Sequence, residues 1–136
     1  MAVSINAAIL DIWLNYLRST TAVTALTGTT FIQLHTANPG TAGTTSVATQ
    51  TGLTTRASAT FGAAAAVSGN ETITMSGTPT WTNSGASTET VTHISVWTAS
   101  TAGTFLWSSA LTSSVAVPPA ATFNLTSASL GIASAS

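Results

Sequence analysis

The sequence predicts a mainly β fold: an antiparallel β-sandwich or jelly-roll-like barrel of about seven or eight strands with one N-terminal amphipathic helix. Thr and Ser make up about a third of the 136 residues, and lysine is absent, so the composition favours strands. Short alternating segments are separated by turn signals, and helical spacing of apolar residues is clear only near the N-terminus. The length fits one domain over residues 1–136, with the helix at 4–18 and a β-domain at 29–132.

The helix is predicted from Ser4 to Arg18, with Ser4 as its N-cap and Arg18 placed favourably for the helix dipole. This helix packs either on the protein's own sheet or on a neighbouring subunit. An exposed apolar stripe of this size would be a liability in a free monomer. The stripe consists of six apolar residues at helical spacing, namely Ile5, Ile9, Ile12, Trp13, Tyr16 and Leu17.

The strongest β signal is a hairpin from Thr90 to Leu111. Its two arms alternate between apolar and polar residues and flank a small-residue turn that ends at Gly103. On the second arm, Phe105 and Trp107 are predicted to share one face. Because this is the most hydrophobic paired unit after the N-terminus, we expect it at the centre of a sheet.

Shorter strands are predicted on either side of the hairpin. An Asn38-Pro39-Gly40 turn ends the first of them, since proline fixes φ for a turn and glycine accepts positive φ. A surface loop then runs to Gln50. Pro79 indicates an edge strand, because proline has no backbone N–H to donate to a neighbouring strand. The predicted strands, in chain order, are 31–36, 53–61, 71–75, 78–81, 122–126 and 130–132.

The chain has only five charged residues and a net charge of -1. Nucleic-acid binding is not expected, because it needs several basic residues and only Arg18 and Arg56 are present. No membrane role is expected either, since no apolar run is long enough to cross a bilayer and the N-terminus has no basic secretory signal. Cysteine is absent, which excludes disulfides and thiolate chemistry. A surface so poor in charge is either coated with Thr and Ser, which are polar without being ionic, or covered by other subunits. We expect association with other subunits, because low net charge does not keep copies apart.

The ionisable residues form no pattern typical of a catalytic, cofactor-binding or metal-binding site. His35 and His93 each lie within a predicted strand, and we interpret both as hydrogen-bonded structural groups without a partner at metal-ligand spacing. Glu71 and Glu89 are the one carboxylate pair that could support glycoside hydrolysis, but both lie beside loops, where an exposed charge is ordinary. Trp81 has polar neighbours, so an exposed ring could stack on a sugar, although packing in the core or at a subunit contact is favoured.

Four segments, in the same order along the chain, resemble small virion proteins of tailed bacteriophages. The first is an LHTxxPG pattern at 34–40, and the second is an Arg-Ala-x-x-x-Phe-Gly stretch at 56–62. The third and fourth are the two arms of the hairpin, at 91–97 and 103–111. An amphipathic helix before the first strand also fits, so the resemblance covers most of the chain.

The resemblance implies a non-enzymatic structural protein of the virion, assembled in the cytoplasm of the bacterial host. We expect first a capsid decoration (cement) protein that stabilises the shell by apolar subunit contacts. Its partners would be copies of itself, as a trimer, and virion proteins such as the major capsid protein. The alternative is a tail fibre or minor tail protein involved in host attachment. The candidate contact residues are Ile5, Ile9, Ile12, Trp13, Tyr16, Leu17, Pro39 and Trp81.

Overall fold

The computed structural model describes residues 3–17 and 29–133. Within these residues the chain forms ten strands and one helix, so the predicted mainly β fold with an N-terminal helix is confirmed. The elements, in chain order, are β1 Val3–Ile5, α1 Ala7–Leu17, β2 Thr30–His35, β3 Ala57–Phe61, β4 Ala65–Val67, β5 Asn70–Ser76, β6 Thr80–Thr82, β7 Glu89–Trp97, β8 Phe105–Val117, β9 Thr122–Asn124 and β10 Ser129–Ala133.

Antiparallel pairing joins eight of the described strands into one curled sheet. Its order is β1-β8-β7-β2-β3-β5-β10, and β4 also pairs with β5. Strands β6 and β9 form a separate two-stranded sheet, in which Trp81 packs against Phe123 with ring centroids 5.8 Å apart. Both rings belong to the same hydrophobic core as the large sheet. This arrangement agrees with the predicted sandwich or barrel.

The predicted hairpin is formed by β7 and β8, and β7 lies between β8 and β2 inside the sheet. Its turn contains Ala102 and Gly103, which have positive φ angles of 51° and 73°. A Cβ atom on Gly103 would lie 2.8 Å from the Cβ atom of Ala99, so the turn requires glycine at this position. The sequence therefore located both the hairpin and its place in the sheet.

A bulge in β8 changes which aromatic rings share a face. Val96 lies opposite Trp107, whereas its neighbour Trp97 lies opposite Phe105, so Leu106 is an extra residue in β8. Residues opposite each other in an antiparallel pair share a face. Phe105 and Trp107 thus lie on different faces, and the prediction that they share one is wrong. The rule that side chains two positions apart share a face fails here, because the extra residue Leu106 reverses the alternation of faces.

Helix α1 is shorter than predicted because the residues before it form a strand. Ser4 lies opposite Ser108 in the β1–β8 pair, so it is not the N-cap. The cap is Asn6, whose Oδ1 accepts a hydrogen bond of 2.9 Å from the backbone N–H of Ala8. Arg18, the predicted last residue of the helix, lies outside the described residues.

The turn after β2 has the predicted chemistry. Gly40 has a φ angle of 73°, and its N–H donates to Oδ1 of Asn38 over 2.9 Å. Pro39 between them is fully buried. The strand predicted from Leu53 begins later, at Ala57, because the chain still turns around Leu53, whose side chain is buried.

Candidate functional site

The predicted contact residues of the N-terminal segment divide into an inward and an outward group. Ile9 is 5% exposed, and Ile5 and Trp13 pack against the core while remaining partly exposed. Ile12 and Leu17, by contrast, are 46% and 76% exposed. The helix therefore packs on the protein's own sheet, which was one of the two predicted alternatives. Contact with a neighbouring subunit stays a prediction.

Beyond the predicted stripe, the outer side of α1 carries further apolar residues. Leu10, Leu14 and Leu17 are 40%, 60% and 76% exposed. Their spacing of four and three residues places them on one side of the helix. We call these three residues the leucine face. The sequence signal was present, but assuming a single stripe left Leu10 and Leu14 out. Tyr16 belongs to α1, and its side chain is not among the described ones.

Two other predicted contact residues, Pro39 and Trp81, are buried within the protomer. Trp81 is 3% exposed, and its Nε1–H donates to the carbonyl oxygen of Thr55 over 2.8 Å. Pro39 lies inside the turn after β2. A buried side chain cannot contact a partner or stack on a sugar unless the core opens. The choice of these residues is therefore corrected, and the idea of an exposed sugar-binding ring at Trp81 is wrong.

An apolar cavity of about 190 Å³ lies between α1 and the large sheet. An engineered apolar cavity of roughly 150 Å³ stays dry and can hold benzene, so this volume is substantial. The helix thus leaves unfilled apolar space against the sheet. The lining side chains are almost all apolar and include Ile5, Ile9, Trp13, Phe61, Ile73, Trp107 and Leu130.

Segments that carry the resemblance to phage proteins meet in a buried polar cluster. Nδ1–H of His35 donates to the carbonyl oxygen of Thr45 over 2.9 Å, and the hydroxyl of Ser95 donates to Nε2 of His35 over 2.7 Å. Nε1–H of Trp97 donates to the same hydroxyl oxygen over 2.7 Å. Because a carbonyl oxygen only accepts, a proton is assigned to Nδ1, and in the neutral ring this leaves Nε2 to accept from Ser95. We call these three side chains the histidine cluster.

Arg56 covers the Trp97 side of the histidine cluster. Its Cζ atom lies 3.7 Å from the centroid of the Trp97 ring, a cation–π contact. Its Nη1 donates to the carbonyl oxygens of Ala99 and Ala102 over 2.9 and 2.6 Å. The guanidinium thereby fixes the β7–β8 turn to the start of β3. The arginine of the second resembling segment thus has a structural role.

Burial lowers the pKa of His35, because the charged imidazolium would lose its hydration. The hydrogen bond to Thr45 opposes this shift, while the nearby charges of His93 and Arg56 add to it. His35 and Ser95 are both 0% exposed, so a substrate cannot reach their 2.7 Å contact. The pair is therefore consistent with the predicted structural histidine.

The buried carboxylate of Glu89 holds the loop that follows β2. Its carboxylate accepts hydrogen bonds from the backbone N–H and the hydroxyl of Thr49, over 2.8 and 2.9 Å, and from the N–H of Gln50 over 2.9 Å. Burial raises the pKa of Glu89, but these hydrogen bonds outweigh burial and leave the pKa below its ordinary value. The charge is stabilised by N–H and O–H donors of the loop.

Glu71 and Glu89 do not form a glycosidase pair. Glu71 is exposed on β5, whereas Glu89 belongs to β7, and β2 and β3 lie between these strands. Three strand spacings correspond to about 14 Å along the sheet. The carboxylates of glycoside hydrolases are at most about 9.5 Å apart. The hydrolase hypothesis therefore has no support in the geometry.

Residues 3–17 and 29–133 contain no group of three or more His, Cys, Asp or Glu side chains placed to hold a metal ion. In this part of the chain, no helix combines the length and the apolar character needed to cross a bilayer. The surface feature that stands out is the leucine face together with Ile12.

Comparison with known proteins identifies the family. A family model described as "Podophage GP4 fiber I protein gp80" matches residues 5–133. A search of curated proteins gave no significant match. The matched span includes every segment that resembles phage proteins, and it confirms the resemblance to a phage virion structural protein. The chain thus belongs to the family of the podophage GP4 fiber I protein gp80.

Proposed function

We propose that this protein is a structural, non-enzymatic subunit of a podophage fibre. The observation that carries the proposal is membership, over residues 5–133, of a family described as a fiber protein. The geometry supports it, because the buried polar side chains are engaged in holding strands and loops together. In this role the protein contributes apolar surface that loses water when subunits meet.

The capsid decoration role, which the sequence placed first, becomes the second candidate. The description of the family favours a fibre. A decoration role is still favoured by one observation, the presence of only five charged residues, since a protein that covers a shell would bury much of its surface against other subunits. Host attachment through Trp81 is dropped, because that ring is buried.

Labelling intact particles would test the location. Gold-conjugated antibodies against this protein are expected to mark the tail end of phage particles that contain it, at the fibres. Particles from a strain lacking the gene serve as the control for nonspecific label. Gold distributed evenly over the capsid shell would contradict the fibre role and support decoration.

The proposed partners are copies of this chain and neighbouring virion proteins, with the major capsid protein as the partner in the decoration role. Because the protein carries so few charges, contacts between subunits should depend on apolar area and respond weakly to salt. Raising NaCl from low to molar concentration should leave assemblies intact when they are analysed by sedimentation. Dissociation at high salt would contradict contacts of this kind.

A further inference from the structure

Helix α1 is apolar on more of its circumference than its own sheet can cover. Ile9 and Trp13 point inward, while the leucine face and Ile12 remain exposed on the other sides. Only Asp11 and Asn15 supply larger polar side chains between Ala7 and Leu17. A helix that is apolar nearly all round is normally buried on all sides. The arrangement therefore calls for a second packing surface against the outer side of α1.

The exposed patch is large enough to form the centre of an interface. The three leucines, 40 to 76% exposed, lie on one side of this short helix, whereas Ile12 is two positions from Leu10 and Leu14 and lies on a different side. The leucine face alone exposes on the order of 300 Å², at the lower end of the range of the largest patches on monomers. A standard interface buries about 800 Å² on each partner, with an apolar centre and a polar rim. The leucine face would supply the centre, and the surrounding Thr- and Ser-rich surface would supply the rim.

The composition of the helix indicates which partner covers it. A helix that lies on a membrane surface usually carries Lys or Arg on its polar face, and the segment Ala7–Leu17 has neither. A second copy of this chain offers the same apolar face, and few charges oppose its approach. We propose that the leucine face is an interface between copies of this chain, in which α1 of one copy packs against α1 of another. This proposal rests on the proposed structural role and names its partner.

Sedimentation of the purified full-length protein tests the interface. The wild type should sediment as a multiple of the 13.6 kDa protomer, and the multiple would distinguish two copies from three. In the double variant Leu14→Lys/Leu17→Lys, self-association should weaken on the order of a hundredfold, since two leucines would no longer be buried. Lysine keeps helix propensity and suits the C-terminal end of a helix, so the protomer should still fold, as circular dichroism would show.

Val67→Lys is the matched control. Val67 is 51% exposed, but it lies on β4 instead of α1, so this variant should associate like the wild type. Equal weakening in Val67→Lys and the double variant would overturn the proposal, and so would a wild type that remains monomeric at every concentration. A monomeric wild type that floats with phosphatidylcholine vesicles would overturn it in favour of a membrane contact.

Single-cysteine cross-linking gives an independent test, because the chain contains no cysteine of its own. With a short bis-maleimide, Leu10→Cys, Leu14→Cys or Leu17→Cys should give cross-linked dimers, while Val67→Cys should not. Cross-linking at Val67 and at none of the three leucines would place the contact elsewhere and overturn the proposal. These outcomes do not depend on where gold labels the particle, so failure of the fibre role and failure of the interface are distinguishable.

Discussion

The centre of the large sheet and the N-terminal helix differ in how fully the chain itself packs them. His35 and Ser95 in the centre are completely buried, and every buried side-chain nitrogen or oxygen of the described residues has a hydrogen-bond partner. Helix α1 instead lies over an apolar cavity and exposes the leucine face. The centre therefore determines whether the protomer folds, while the outer side of α1 is available for assembly. Substitutions in the two regions should separate stability from association.

The largest loss of stability is expected for Ser95→Val. This change removes the hydroxyl that donates to His35 and accepts from Trp97, so two buried nitrogens lose their partner. Each unsatisfied group costs about 1–3 kcal/mol, which gives a decrease of about 2–6 kcal/mol in the free energy of unfolding. Urea denaturation would measure it. Ser95→Thr keeps a hydroxyl and should lose much less.

The double variant on the leucine face tests the outer side of α1, as Ser95→Val tests the centre of the large sheet. Leu14→Lys/Leu17→Lys should leave protomer stability nearly unchanged, because both side chains are mostly exposed in the protomer. Should this double variant destabilise the protomer as much as Ser95→Val does, the leucine face would be part of the folding core and the distinction between the two regions would fail.

A smaller loss is expected for Glu89→Gln. The amide has nearly the same shape as the carboxylate, but its NH2 group would face the N–H donors of Thr49 and Gln50. Leaving one of these donors unsatisfied should cost about 1–3 kcal/mol. Hydrogen exchange should accelerate at the amides of Thr49 and Gln50. Glu71→Gln is the control, since Glu71 is exposed on β5, and equal effects of the two variants would contradict an anchoring role for Glu89.

The dependence of stability on pH should reveal the protonation of His35 in the histidine cluster. Because burial lowers the pKa of His35 below its ordinary value of 6.5, the unfolded chain binds a proton more readily than the folded one. The contribution of neutral His35 to the free energy of unfolding is therefore fully present above pH 6.5. It is lost as the pH falls from 6.5 through the lower pKa that His35 has in the folded protein. Glu89, whose pKa lies below 4.5, adds a further loss at lower pH. In NMR titrations the His35 ring should be less than half protonated at pH 6.5, and half protonation or more at that pH would contradict the prediction.

The sequence predicted the features that depend on neighbouring residues and missed those that depend on distant ones. The β7–β8 hairpin was found because its alternation and its turn are local. The contact between His35 and Ser95 joins residues 60 positions apart, so no local sequence pattern predicts it. The pairing of Ser4 with Ser108 likewise overrides a stretch that is helical by spacing alone. Of the predicted contact residues, Pro39 and Trp81 were misplaced because tertiary packing, which periodicity does not report, buries both.

A modest loss of stability is expected at Asn6, where the two regions are joined. Its Oδ1 caps α1 through the N–H of Ala8, and its Nδ2 donates to the carbonyl oxygen of Phe105 on β8 over 2.8 Å. Asn6→Ala removes both bonds and should lower the free energy of unfolding by about 2 kcal/mol, since an N-cap contributes about 1 kcal/mol and the second hydrogen bond about 0.5–1.5 kcal/mol. The same variant should also weaken association, because a frayed α1 no longer presents its leucine face as a helix.

Asn6→Asp separates the two bonds made by Asn6. Aspartate keeps the capping oxygen and suits the helix N-terminus, but it cannot donate to Phe105. If self-association depends on the N-cap, the Asn6→Asp variant should associate like the wild type in sedimentation, whereas the Asn6→Ala variant should not. If instead both variants lose association equally, the tie between α1 and β8 positions the helix, and the interface depends on the sheet centre as well as on the leucines.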